Sequence, residues 1–183
     1  MRELSLHILD IVQNSIAAAA TLIEITVIED LAHDQLTITI TDNGQGIPEN
    51  MQSQLIDPFF TSRETRAVGM GLPLFAEAAQ RCDGKLEIYS QVGTGTQVVA
   101  CFRHSHIDRA PLGDITGTLL SLIALNTNID FIYHHIYGTK AFILDTREIK
   151  RELDGVAINH PEVLSWLRQF IHEGLDDLFG GEE

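Results

Sequence analysis

Leu4, Ile8, Ile11, Val12 and Ile16 recur at helical spacing and run into the alanines at 17–20, which predicts a helix over 4–20. The period then changes. Residues 23–28 and 36–41 alternate apolar with polar, and Ala32-His33-Asp34 supplies a turn between them, so the pair reads as a hairpin with one buried face. Asp42-Asn43-Gly44-Gln45-Gly46 is a loop by composition, and Pro48 sits where a short helix over 48–55 begins. Residues 57–68 hold Arg63 and Arg66 and follow no period. A helix is predicted over 71–82, with Pro73 in its first turn, then strands at 85–90 and 97–102 around Gly93-Thr94-Gly95.

Around 104–112 both periods break at His104, Ser105, His106, Arg109, Pro111 and Gly113. A Leu- and Ile-rich helix is predicted at 114–125, a hairpin at 129–137 and 140–145 turning at Gly138-Thr139, and a last helix from Pro161 to Leu178. No internal repeat or low-complexity tract occurs.

Composition adds limits to this picture. The chain has 183 residues, 44% hydrophobic and 21% charged, enough for one large domain or a domain with an appendage. Its net charge of −14 repels nucleic acid and anionic membrane, so neither is an expected partner. The same field repels phosphates, so a phosphate site must be prepared by backbone N–H groups and a few Arg or Lys. Cys82 and Cys101 are too few and too far apart for a disulfide framework or a zinc site. No apolar run is long enough to span a bilayer and no leader pattern is visible, so a cytoplasmic location is expected. The histidines at 104, 106, 134 and 135 lack neighbouring Cys or clustered carboxylates, which argues against a metal centre.

Four places carry candidate chemistry, each with a plainer alternative. Asp42-Asn43-Gly44-Gln45-Gly46-Ile47-Pro48 is either a tight turn or a pocket mouth, where a carboxylate accepts from an amino group and glycines admit a flat base. Asp10 and Asn14 share one face of the first helix, either as a solvated pair or with the amide oxygen facing Mg²⁺. Val68-Gly69-Met70-Gly71-Leu72 leads into a helix whose first N–H groups suit phosphate, though a lone Gly-x-Gly is weak. Gly93-Thr94-Gly95-Thr96 alone reads as a hairpin turn.

Taken in order, with Asp57-Pro58-Phe59-Phe60-Thr61-Ser62-Arg63 between the second and third, these motifs resemble the ATP-binding domain shared by gyrase, heat-shock chaperones and sensor histidine kinases. The phrase at 57–63 is most similar to the sensor-kinase branch. The resemblance covers about 4–103 and leaves 104–183 aside. It implies ATP and Mg²⁺ as ligands, with Asn14 on the metal and Asp42 on the adenine, assisted by Thr96 through water. Gly44, Gly46 and Ile47 would shape the base pocket, and Gly69, Met70, Gly71 and Leu72 would meet the phosphates. Arg63, and less surely Arg66, would bring charge from a lid. Phe59 and Phe60 would either close that lid or belong to the core.

Two departures from the family pattern matter. Its ATPases have Glu, a general base, where this chain has Asp10, one methylene shorter. Its sensor kinases place a dimerising helical pair with a phosphoacceptor His ahead of this domain, whereas only residues 1–3 precede the first helix here and His7 lies inside it.

The expected fold is an α/β two-layer sandwich, a mixed and mostly antiparallel sheet with helices on one face. The ATP-binding domain is expected at 1–104, and a helix–hairpin–helix extension of unknown role at 105–183. Three functions fit: a kinase-like or ATPase subunit working with a protein partner, a regulatory Ser kinase similar to anti-sigma factors, or a non-catalytic module switched by ATP. A homodimer is left open.

Overall fold

The computed structural model describes residues 3–52, 55 and 71–180. The chain runs α1 (Leu4–Ala17), β1 (Leu22–Asp30), β2 (Gln35–Asp42), α2 (Glu49–Gln52), α3 (Gly71–Arg81), β3 (Lys85–Gln91) and β4 (Gly95–Arg103). It continues with α4 (Ile115–Leu125), β5 (Asp130–Tyr137), β6 (Lys140–Asp145), α5 (Thr146–Glu152) and α6 (Pro161–Phe179). The strands form one six-stranded sheet in the order β3-β4-β2-β1-β5-β6, antiparallel throughout except for the parallel pair β1–β5. The sheet is therefore mixed and mostly antiparallel, as expected.

Alternation decides which face is buried. Val98, Ile40, Ile25, Tyr133 and Leu144 lie in one row across the sheet, all on the helix-covered side and all buried. The row on the opposite face, Val99, Thr39, Thr26, His134 and Ile143, is only half-buried or exposed. One buried and one partly wet face is the usual economy of an antiparallel sheet.

Within the segment after 104, β5 and β6 continue the same sheet. β5 pairs with β1 from Leu22↔Asp130 to Glu29↔Tyr137, and Leu119, Leu122, Phe131, Tyr133 and Leu167 join the same apolar cluster as Ile8, Ile25 and Phe75. Between the two parts, the linker pairs with the start of α1: Leu4 N–H donates to Pro111 O at 2.9 Å and Ser5 N–H to Leu112 O at 2.8 Å. A second tie is polar. The Glu29 carboxylate meets His104 Nε2 at 2.8 Å and His135 Nε2 at 2.9 Å. With His135 donating through Nε2, its Nδ1 accepts from the Tyr133 hydroxyl at 2.9 Å. Burial works against the Glu29 charge, but the hydrogen bonds from His135 and His104 outweigh it and hold its pKa below the ordinary value. These histidines thus complete a partly buried network. Among the described residues no three His, Cys, Asp or Glu side chains group as metal ligands.

One local expectation needs correction. α1 stops at Ala17, not 20, because Ala19 turns to φ 58° and Ala20 folds back, its N–H donating to Ser15 O. The helix propensity of an alanine run yields there to the need to start β1. The short helix expected over 48–55 is described only at Glu49–Gln52. One helix was not foreseen: α5 starts where Asp145 caps it, accepting from Arg147 N–H at 2.9 Å, and its Thr146 hydroxyl accepts from Phe131 N–H at 2.8 Å.

His7 carries a measurable consequence. It is 2% exposed, stacks on Phe75 at 4.9 Å, and has no hydrogen-bond partner at Nδ1 among the described residues. Burial lowers its pKa to about 4. An unfolded chain binds the proton near pH 6.5, so His7 favours folding fully above that pH and loses this contribution as pH falls toward about 4. His7→Phe, which keeps the stacked ring, should therefore lose about 1.5 kcal/mol less than the wild type between pH 6.5 and 5 in denaturant titrations. Parallel pH profiles for the two proteins would contradict the assignment.

Candidate functional site

α1 has a second face. Ile11, Asn14, Ser15 and Ala18 stand at i, i+3, i+4 and i+7 and line a cavity at the end of the sheet. Its other walls are Asp42 from the end of β2, Gln45, Gly46 and Ile47 from the following loop, Leu72 from α3, and Thr96 and Val98 from β4. Ile11, Ile47, Leu72 and Val98 make the slot largely apolar, and no Lys or Arg of the described residues lines it.

Asp42, 9% exposed, is therefore a carboxylate without a counter-charge in the lining, held by dipoles. Ser15 Oγ donates to its Oδ2 at 2.6 Å, while Gly44 N–H and Thr96 N–H donate to its Oδ1 at 2.9 and 3.2 Å. A carboxylate has about four acceptor positions. Both on Oδ1 are filled and one on Oδ2 is filled, which leaves a single acceptor position on Oδ2. The group is oriented, with room for one incoming donor.

The loop after β2 is clamped by β3 and its turn. Ser90 Oγ accepts from Ile47 N–H at 2.8 Å, donates to Gly95 O at 2.9 Å and lies 2.8 Å from Thr96 Oγ1. Gln52 Nε2 ties Ile47 O to Ser90 O at 2.9 and 2.8 Å. Gly46 has φ +70°, and a Cβ there would fall on the carbonyl of Gln91. A Cβ on Gly44 would lie 2.8 Å from Ala18 O. The close approach that requires these glycines is thus to the protein's own backbone.

Asp10 lies one helical turn from Asn14 on α1, at the start of α3: a Cβ on Gly71 would lie 2.8 Å from the Asp10 Cβ. The backbone at 71–72 opens α3, whose first N–H groups have no partner inside the helix and carry its positive end.

Of the residues singled out by sequence, the structure gathers Asn14, Asp42, Gly46, Ile47, Leu72 and Thr96 around one cavity, with Gly44 hydrogen-bonded to Asp42 and Asp10 against Gly71. Arg63, Arg66, Gly69, Met70, Phe59, Phe60 and the expected lid lie outside the described residues. Ser15, Ser90 and Gln52 were missed. Ser15 was signalled by a hydroxyl on an apolar helix face. Ser90 occupies the inward parity of β3 after Leu86 and Ile88.

The donor set suits the ligands that the motifs imply. An amino group fits the open position on Asp42, a flat ring fits the apolar slot, and the Asn14 side chain in its lining carries a neutral amide oxygen of the kind Mg²⁺ takes.

Comparisons agree on the kind of protein. Residues 2–106 match the family described as histidine kinase-, DNA gyrase B-, and HSP90-like ATPase. The chain is 30% identical over 97 residues to a putative sensor protein of Shewanella frigidimarina, covering 52% of this chain and 15% of that protein. It is 28% identical over 88 residues to sporulation kinase C of Bacillus subtilis, covering 48% and 20%. It thus spans a fifth or less of the length of these two relatives. In three dimensions it resembles the Aquifex aeolicus MutL ATPase domain complexed with ADP, with a TM-score of 0.54 at 13% identity, over 78% of this chain and 64% of that one. That coverage is more than 2–106 can supply, so the shared fold takes in part of the segment beyond it.

Proposed function

Because this chain belongs to the family of histidine kinase-, DNA gyrase B-, and HSP90-like ATPases, we propose that it binds Mg²⁺-ATP in this cavity and acts on or with a partner protein. The observation that carries the reading is Asp42, fixed by donors from α1, the loop and β4 and left with one acceptor position in an apolar slot. The adenine amino group takes that position. Ile11, Ile47, Leu72 and Val98 cover the ring, and Thr96 backs it through a water. Asn14 would hold Mg²⁺, which supplies charge neutralisation on the phosphates when bound. The N–H groups at Gly71 and Leu72 face the phosphates at the positive end of α3, and Gly69, Met70 and Arg63 are further phosphate contacts that the sequence motif implies. Asp42 and the triphosphate, both anionic, are thereby kept at opposite ends of the site.

The fate of the bound nucleotide depends on Asp10. It stands beside Gly71, where a base for water would be placed, but it is shorter than the Glu of the family's ATPases. Hydrolysis is therefore slow, and the γ-phosphoryl group is meant for an acceptor on a partner or is simply held. His7 is not that acceptor: it is buried against Phe75. The sporulation kinase among the relatives favours transfer. A cytoplasmic location and Mg²⁺ dependence belong to the same proposal. No helix of the described residues is long and apolar enough to cross a membrane.

Two outcomes check this. Asp42→Asn should weaken ATP binding at least about a hundredfold by calorimetry, and Ser15→Ala about tenfold, through loss of one charge-assisted hydrogen bond. ATP affinity unchanged in folded Asp42→Asn would remove the site. With Mg²⁺ and ATP alone, the chain should release phosphate at no more than roughly 0.1 s⁻¹, about a hundredfold below an ordinary enzyme, and Asp10→Glu should raise that rate. Brisk turnover by the wild type would contradict the role given to Asp10.

A further inference from the structure

β6 is the outer strand of the sheet, with no strand beyond it among the described residues. Its centre reads Ala141-Phe142-Ile143-Leu144, and its charges stand only at the ends, Lys140 and Asp145. Alternate residues of such a strand turn their N–H and C=O groups outward. Edges of this kind are ordinarily blunted by proline, a bulge or an inward charge. β6 has none of these: it pairs with β5 without interruption from Ile132↔Asp145 to Tyr137↔Lys140.

α6 runs beside this edge. Phe142 reaches it and packs on Phe170 at 5.6 Å and beside Gly174, where a Cβ would strike the ring. Trp166 stacks on Phe170 at 5.3 Å and 14°, yet Trp166 remains 50% and Phe170 37% exposed. At 100° per residue, Glu162, Glu173, Trp166, Asp177 and Phe170 fall within about 80° of the helix, on the side of the Phe142 contact. All five are exposed, and the sector contains no Lys or Arg. Lys140, at the end of β6, already donates to Asp177 O at 3.1 Å. On the other face of the edge Ile143 is 56% exposed. The edge is thus an open hydrogen-bonding template beside an aromatic, acidic ridge.

We propose that β6 is the docking edge for an extended, basic segment of a partner protein. The segment adds as a seventh strand, lays apolar side chains on Trp166 and Phe170, and sets Lys or Arg against Glu162, Glu173 and Asp177. A second copy of the chain is a poorer occupant. Two-fold pairing of β6 with itself sets each acidic ridge beside the other's, in a chain of net charge −14. This inference rests on the reading that the chain works with a partner, and not on its nucleotide chemistry.

Trp166 is the only tryptophan, so its fluorescence reports on the ridge. The full chain, without nucleotide, is titrated with a ten-residue peptide in which one parity of positions carries Val or Ile and Lys or Arg in turn, so that both face α6, and the other parity carries Thr. Two control peptides carry Asp and Glu in place of the basic residues, or a proline at the centre. The basic peptide should give a saturable Trp166 signal that weakens steeply with salt. The acidic peptide should give none, and the proline peptide should bind at least tenfold more weakly. The double substitution Glu173→Lys with Asp177→Lys, at two exposed positions, should cost at least tenfold in affinity with an unchanged melting temperature. No saturable signal, or equal binding of the proline peptide, overturns strand addition. A concentration-dependent dimer in light scattering that shields Trp166 would assign the edge to a second copy and overturn the proposal. Because nucleotide is absent, these results are independent of whether ATP binds.

Discussion

A carboxylate held in an apolar slot, with no Lys or Arg in the lining, must be met by oriented donors, and Asp42 sets this demand on everything around it. Its donors come from three places far apart in sequence: Ser15 on α1, Gly44 in the loop and the backbone of Thr96 on β4. Each is a hydrogen bond to a charge, of the order of 1.5–3 kcal/mol, and losing one leaves the charge undersatisfied. The end of the sheet, the first helix and the loop therefore converge on one point. The cavity is what remains between them once Asp42 is satisfied.

α1 is the element that this point shares with the rest of the molecule. One face carries Ile11, Asn14 and Ser15 into the cavity, and others bury Leu4, Ile8 and Val12 in the core. Its N-terminal turn is tied to the linker at Pro111 and Leu112, and the Glu3 carboxylate accepts from Asp114 N–H at 3.2 Å, just ahead of α4. α4 packs on α1 and on α6, and α6 lies over β5 and β6. A chain of packed helices thus joins the proposed nucleotide site to the far edge of the sheet. These packed helices are a continuous physical path between the two ends.

The strands were legible because their alternation is strict: one parity of β1 and β2 is apolar and buried, the other rich in Thr and half-wet. The site was legible as motifs, since Asp42, Asn14, Thr96 and the glycines are residue types with few other reasons to recur in that order. Contacts across the fold were not legible. The parallel pairing of β5 with β1 is set by long-range packing that leaves no mark in local periodicity, so the sequence shows the hairpin at 129–145 but not the strand it pairs with. α5 escaped because its start depends on the Asp145 cap and on Thr146 bonding to Phe131, both beyond what a seven-residue stretch reveals. Ser15 and Ser90 escaped because a single hydroxyl among apolar residues has no meaning until its partner is known.

The central claim is that Asp42 offers one acceptor position to an adenine amino group. Replacing ATP by inosine triphosphate changes that amino group to a carbonyl, so an acceptor faces an acceptor, while the phosphates and ring size stay the same. Calorimetric titration of the full chain with both nucleotides in Mg²⁺ tests the claim most directly. The account predicts that inosine triphosphate binds at least about a hundredfold more weakly, the scale of discrimination set by a buried polar group left unpaired. Equal affinity for the two would contradict it.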